Sequence, residues 1–128
     1  RRFALATNQI EFSPLRLAAL SGGTREQAVD LGLPPVAWSP QAGGRLARGD
    51  DEQAQRVRAV LEELGRARGV SAATMAYAWI RRHPSRPLPI TGSGRIDALR
   101  EAVASLDVEL SREDWYRVWQ ACMGHPVP

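Results

Sequence analysis

Leu88–Val103 reads LPITGSGRIDALREAV. The run PLPIT, from Pro87 to Thr91, is short and apolar, as a buried strand is. Gly92, Ser93 and Gly94 make a turn, and Ile96, Leu99, Val103 and Leu106 then recur at helical spacing. Strand, glycine turn and amphipathic helix form one βα unit, and repetition of that unit decides the fold class. The same arrangement can cradle an anion on helix N–H groups, yet it can equally be an ordinary connection. P-loop and GxGxxG spacings are both absent, so the turn alone does not decide.

Two further units lie upstream. FALATNQIEF (Phe3–Phe12) reads as a buried strand ending in polar positions. Thr24 with Gln27 makes a capping box for a helix that stops at Gly32. PVAWSP (Pro35–Pro40) is a second strand, and the glycine-rich QAGGRLARGDD (Gln41–Asp51) is a loop. A long helix follows over Glu52–Arg68, with Val57, Val60, Leu61 and Leu64 on one face and Gly69 as terminator. Ser71 opens the next helix, AATMAYAWIRRH, whose pattern ends at Pro84.

Beyond the third unit, SREDWYRVWQACMG opens with Ser111 and Asp114 as a capping box. Trp115, Val118, Trp119 and Cys122 fall on one helical face, expected to pack on the body rather than to form an aromatic cage. Strands alternating with helices predict an α/β fold with a parallel sheet. Three short strands would leave two open edges and a bare face, so the chain reads as a slice of a larger fold.

Composition narrows the setting. The 128 residues, 44% hydrophobic and 24% charged, fit one ordinary domain with a real core. No apolar run approaches the roughly 18 to 20 residues that span a bilayer. The N-terminus turns polar before a signal-peptide core could form, and the chain does not begin with Met, so a processed or excised piece is expected. The lone Cys122 excludes an internal disulfide and is expected as a small buried hydrophobe in a reducing cytoplasm. His83 and His125 have no zinc-site spacing.

All 17 basic residues are arginine, giving a net charge of +3. They interleave with 14 acids, and the dense clusters GRARG and RRHPSR lack stacking aromatics. A nucleic-acid partner is therefore not expected.

In parallel α/β folds ligands gather at the C-terminal ends of strands. The first strand ends in Asn8, Gln9 and Glu11; the second in Trp38 and Ser39, followed by Gly43 and Gly44; the third in Gly92, Ser93, Gly94 and Arg95. An amide, an aromatic plate, hydroxyls, glycine N–H groups and a cation suit a nucleotide. Each also has an ordinary reading: Gln9 at a strand edge, Trp38 in the core, GSG as a tight turn. Their coincidence at corresponding strand ends weighs more than any one of them.

ATNQIEFSPL, LGLPPVAWSPQAGGRL and LPITGSGRIDALREAV resemble, in order and separation, the last three βα units of the aldo-keto reductase superfamily. SREDWYRVWQACMGHPVP is similar to the extra C-terminal helix and tail of its bacterial predicted-oxidoreductase branch. The resemblance implies that residues 1–128 are a partial domain, three βα units of a (β/α)8 TIM barrel of about 250 residues plus a C-terminal helix. It implies NADP(H) as cofactor, with NAD(H) the alternative. Gln9 would meet the nicotinamide carboxamide and Trp38 would stack on the nicotinamide ring. Ser39, Gly43, Gly44 and Arg45 would lie along the pyrophosphate. The turn of Gly92, Ser93 and Gly94 would hold the 2′-phosphate, and Glu101 would reach the adenine.

There are departures. Relatives often carry a cation at the turn's second position and an Arg five residues after the serine, where this chain has Gly92 and Ala98. Arg95 is the available replacement, because a guanidinium can grip phosphate bidentately. Gln41 and Ala42 stand where Leu and Gly are common. The family's catalytic Asp, Tyr, Lys and His come from the first half of the barrel. Here there is no Lys, and the two tyrosines, Tyr77 and Tyr116, fall mid-helix. The resemblance thus implies the cofactor side of a carbonyl-reducing enzyme, inactive alone, completed by an N-terminal barrel half or a second copy. The competing expectation is a non-catalytic nucleotide-binding or scaffold fragment that self-associates.

Overall fold

The computed structural model describes residues 3–128; Arg1 and Arg2, which begin the polar N-terminal run, lie outside the described residues. Its centre is a three-stranded parallel sheet in the order β1 (Gln9–Glu11), β2 (Val36–Trp38), β3 (Leu88–Pro89). The remaining elements are α1 (Ala18–Ser21), α2 (Thr24–Asp30), α3 (Arg45–Arg48), α4 (Glu52–Arg68), α5 (Ala72–Arg82), α6 (Ile96–Ala104) and α7 (Arg112–Met123).

The register aligns Gln9 with Val36 and Val36 with Leu88, then Glu11 with Trp38. Side chains alternate across a strand, so Ile10, Ala37 and Pro89 share one face while Gln9, Glu11, Val36, Trp38 and Leu88 share the other. Ala37 is fully buried against the helices, whereas Trp38 and Leu88 stay exposed.

The strands are shorter than their apolar runs. Pro87 and Pro89 have no N–H, leaving Leu88 to donate to Pro35 O (2.8 Å) and Ile90 to Ala37 O (2.9 Å). Both bonds point at β2, which makes β3 an edge strand of two residues. The buried strand expected over Phe3–Phe12 is corrected: only Gln9–Glu11 pairs, and Phe3 and Leu5 are exposed because no described residue covers them.

The helices follow their signals closely. Asp51 caps α4 by accepting from Ala54 N at 3.0 Å, and Gly69 ends it at φ +68°, a left-handed angle that glycine adopts without strain. Ser71 and Ser111 cap α5 and α7, accepting from Thr74 N (3.1 Å) and Asp114 N (3.0 Å). Asp114 turns to Arg68 instead of completing a box, at 2.8 Å. The Thr24 cap is corrected: Gly23, at near-helical angles (φ −60°, ψ −5°), takes the N-cap position, Thr24 is the first helical residue, and no side chain caps the helix. The expected loop Gln41–Asp51 contains a 3-10 turn, Ala42–Gly44, and α3.

The core joins α4, α5 and α7 through Val57, Leu61, Ile80 and Val118, with Phe12 arriving from the end of β1. Trp115 stacks on Trp79 (centroids 4.9 Å apart, planes 5° apart), so the aromatic stripe of α7 faces the body as expected. Cys122 is buried, and burial pushes its thiol pKa up, leaving it protonated at neutral pH. By contrast Ile96, Leu99 and Val103 of α6, with Leu106 just beyond, are exposed: the periodicity is present but nothing described covers it. No helix among the described residues is long and apolar enough to cross a membrane, and none of their His, Cys, Asp and Glu side chains group as metal ligands.

Candidate functional site

A cleft of about 960 Å³ opens at the C-terminal ends of the strands. Its walls are the segment after β2, the start of α5, and the turn from β3 into α6. Of the residues named from sequence, Trp38, Ser39, Gly43, Gly44, Gly92, Ser93, Arg95 and Glu101 line it together. Gln9, Arg45 and Gly94 stand outside the lining. Gln9 shares a sheet face with Trp38 but lies one row earlier, because Glu11 takes the place beside the ring.

The segment after β2 is built from unusual backbone. Ser39 and Ala42 hold φ of 52°, and Gly43 and Gly44 follow at 63° and 87°. For non-glycine residues that region is costly and tends to occur at functional sites. At Gly44 a Cβ would meet only the movable end of the Arg48 side chain, so it is the left-handed backbone that favours glycine there. Gln41 fastens the segment to α5 by donating to Ala73 O at 3.3 Å. Arg58 fastens it to α4 by donating to Leu46 O (3.0 Å) and Gly49 O (2.7 Å).

Arg45 is engaged within the fold. Its Nε and Nη2 grip both oxygens of Asp51 at 3.0 and 2.6 Å, and Nη2 also donates to Gln53 Oε1 at 2.9 Å. The Arg45 hydrogen bonds, followed by the Ala54 N–H, lower the Asp51 pKa to about 2. A depressed acid stabilises the fold above its ordinary value near 3.8 and loses that contribution as pH falls toward 2. The Gln41–Asp51 segment should therefore loosen below about pH 4, measured by the chemical shift of the Ala54 amide. Asp51→Asn keeps a capping oxygen and should remove that titration.

On the opposite wall, Ser93 Oγ accepts from Arg95 N at 3.2 Å, a local turn that leaves the serine O–H free to donate. Thr74 Oγ1 donates to Glu101 O at 2.9 Å and ties α6 to α5. Arg48, Arg58, Glu62, Ser71 and Tyr77 also line the cleft and were not singled out from sequence as site residues. Arg48 lies on a four-residue helix too short to show periodicity, and Tyr77 sits within an apolar helical run.

The aldo/keto reductase family profile matches residues 1–122. The sequence is 41% identical over 124 residues to 6-dehydroglucose reductase of Novosphingobium aromaticivorans, covering 97% of this chain and 41% of that protein. It is 42% identical over 128 residues to oxidoreductase YdhF of Escherichia coli, covering 98% and 42%. An aldo/keto reductase from Klebsiella pneumoniae, solved with NADP and acetate, superposes with TM-score 0.73 at 26% identity, covering 96% of this chain and 40% of that one. The thermostable aldo-keto reductase Tm1743, solved with epalrestat, superposes with TM-score 0.80 at 21% identity and shares the fold over 94% of this chain and 41% of its own.

The chain belongs to the aldo/keto reductase family. It spans about two fifths of the curated relatives it matches, with 41% and 42% of their lengths covered. Its three parallel strands are consistent with part of a barrel.

Proposed function

We propose that this chain is the cofactor-side portion of an NADP(H)-dependent aldo-keto reductase. It would form the last three βα units of a (β/α)8 barrel, with α7 as the extra C-terminal helix. The observation that carries this reading is the meeting of Trp38, Ser93 and Arg95 in one cleft at the strand ends. An exposed indole, a serine O–H and a guanidinium with no ionic partner among the described residues match the ring and phosphates of a nicotinamide dinucleotide. The bound dinucleotide supplies the hydride; Trp38 orients the nicotinamide face, and Ser93 with Arg95 anchors the adenosine end. NAD(H) remains the alternative cofactor. The chain itself offers no Lys, and Tyr77 and Tyr116 lie within α5 and α7 rather than at strand ends. Proton transfer to the carbonyl oxygen is thus assigned to the remainder of the barrel. A buried single thiol suits a cytoplasmic setting.

NADPH should quench the indole emission of the purified chain, Trp38→Phe should remove most of the quench, and no carbonyl should be reduced. Absence of binding would overturn the cofactor reading; turnover would overturn the division of labour. A second reading, a self-associating scaffold, is favoured by the exposed Ile96, Leu99 and Val103 of α6. Sedimentation as a monomer while NADPH binds would remove it.

A further inference from the structure

α6 has Arg95 at its N-cap and Glu101 in its last turn, so its placement sets one wall of the cleft. Apolar packing within this chain does not place it. No residue of α6 is buried, Ile96, Leu99 and Val103 are exposed, and only Ala98, Glu101, Ala102 and Ala104 are half-buried. No side chain caps its N-terminus, and the strand before it has two residues.

Hydrogen bonds from α5 hold it instead. The buried Thr74 accepts from Ser71 Oγ at 3.1 Å and donates through Oγ1 to Glu101 O at 2.9 Å. Glu101 O is among the last four carbonyls of α6, which have no partner in their own helix. Thr74 therefore caps α6 and ties it to α5 with one bond. Two turns along α5, Arg81 Nη1 donates to Ser105 O at 2.9 Å, and Ser105 Oγ donates to Ala102 O at 2.6 Å. Arg82 and Arg68 continue along the same connection, donating to Leu110 O at 3.0 Å and to Glu109 O at 3.3 Å. The basic clusters RRHPSR and GRARG thus find their acceptors on the chain between α6 and α7.

We propose that Thr74 and Arg81 are positioning residues for dinucleotide binding, setting α6 and with it the wall of Ser93, Arg95 and Glu101. This deepens the dinucleotide reading and rests on it. Neither residue lines the cleft, although Ala73 and Tyr77 of the same helix do, so both act through α6. The hydrophobic core contains no residue of α6, so untying that helix leaves the core standing.

The test uses Thr74→Val, which keeps the volume and removes the donor, Thr74→Ser, which keeps the donor, and Arg81→Met, which keeps the stem. Each is titrated with NADPH by indole quenching and with adenosine 2′,5′-bisphosphate, the adenosine end alone, by calorimetry. Thr74→Val should weaken both ligands by about fivefold, while the quench at saturating NADPH keeps its amplitude because Trp38 is untouched. Thr74→Ser should restore the affinity, and Arg81→Met should reproduce the loss. If Thr74→Val does not fold, Arg81→Met, at a half-buried side chain outside the core, carries the same expectation. Unchanged affinities in the variants, with NADPH bound by the parent, would overturn the proposal and leave the dinucleotide reading standing. A loss for NADPH without one for the bisphosphate, or a reduced quench amplitude, would mean general loosening and would overturn it too. If the parent binds neither ligand, the dinucleotide reading falls and this proposal falls with it.

Discussion

Replacing Trp79 with alanine is expected to lower the melting midpoint by on the order of 10–20 °C. Trp79 is wholly buried and ties α5 to two other parts of the structure. Its ring lies 5.1 Å from that of Phe12 at the end of β1 and 4.9 Å from that of Trp115 in α7. The two tryptophans also bond reciprocally, Nε1 of Trp79 donating to Trp115 O and Nε1 of Trp115 donating to Trp79 O, each at 3.0 Å. Trp79 O lies among the last four carbonyls of α5, which have no partner within their own helix, so the Trp115 indole caps it. Alanine removes a large core volume and leaves Trp115 O one donor short, a loss of about 3–5 kcal/mol. Against a typical total of about 5–15 kcal/mol, that is a large share. Trp79→Phe keeps most of the ring and loses the N–H, so its drop should be smaller. Thermal melts followed by near-ultraviolet circular dichroism separate the two; an alanine variant melting within a few degrees of the parent would refute the central role of the stack.

The parts of the fold legible in sequence are those whose partners lie within this chain. α4, α5 and α7 begin at Asp51, Ser71 and Ser111 because each side chain accepts an otherwise free N–H, and their apolar faces meet one another. α6 shows the limit of periodicity. Ile96, Leu99 and Val103 record that a face is meant to be covered, but not by what, and here they are exposed. The strand run Phe3–Phe12 misled for the same reason, since hydrophobicity without a neighbour pairs nothing. Thr24 failed for a local one: Gly23 was free to enter helical angles first.

The cleft of the candidate site was legible where topology fixes it. Three parallel strands end on one side, so Trp38, Ser93 and Arg95 line one cleft whatever the loops do. What could not be read depended on tertiary detail. Arg45 and Arg48 look alike in GGRLAR, but the left-handed turn at Gly43 and Gly44 leaves Arg45 gripping Asp51 and Arg48 lying over the glycine. No residue count along the sequence distinguishes them. The register of β1 was likewise hidden, because Gln9 and Glu11 both point to the sheet face that carries Trp38, and only pairing shows which stands beside the ring.

Arg95→Ala is expected to weaken NADPH by about 10- to 100-fold while leaving NADH within a few fold. On the proposed placement the 2′-phosphate sits at the turn where Ser93 Oγ accepts from Arg95 N at 3.2 Å, which fixes the backbone from which the guanidinium projects. Arg95 caps no helix with its side chain, and it is exposed, so alanine costs the fold little. A guanidinium on a phosphate makes charge-assisted bonds worth about 1.5–3 kcal/mol, and NADH has no 2′-phosphate to lose them. With Gly92 and Ala98 where relatives often have cations, no other cation among the described residues of this wall compensates. Dissociation constants for both dinucleotides, from indole quenching or calorimetry, give the ratio directly. An equal loss for NADPH and NADH would move Arg95 from the 2′-phosphate to a part shared by both cofactors.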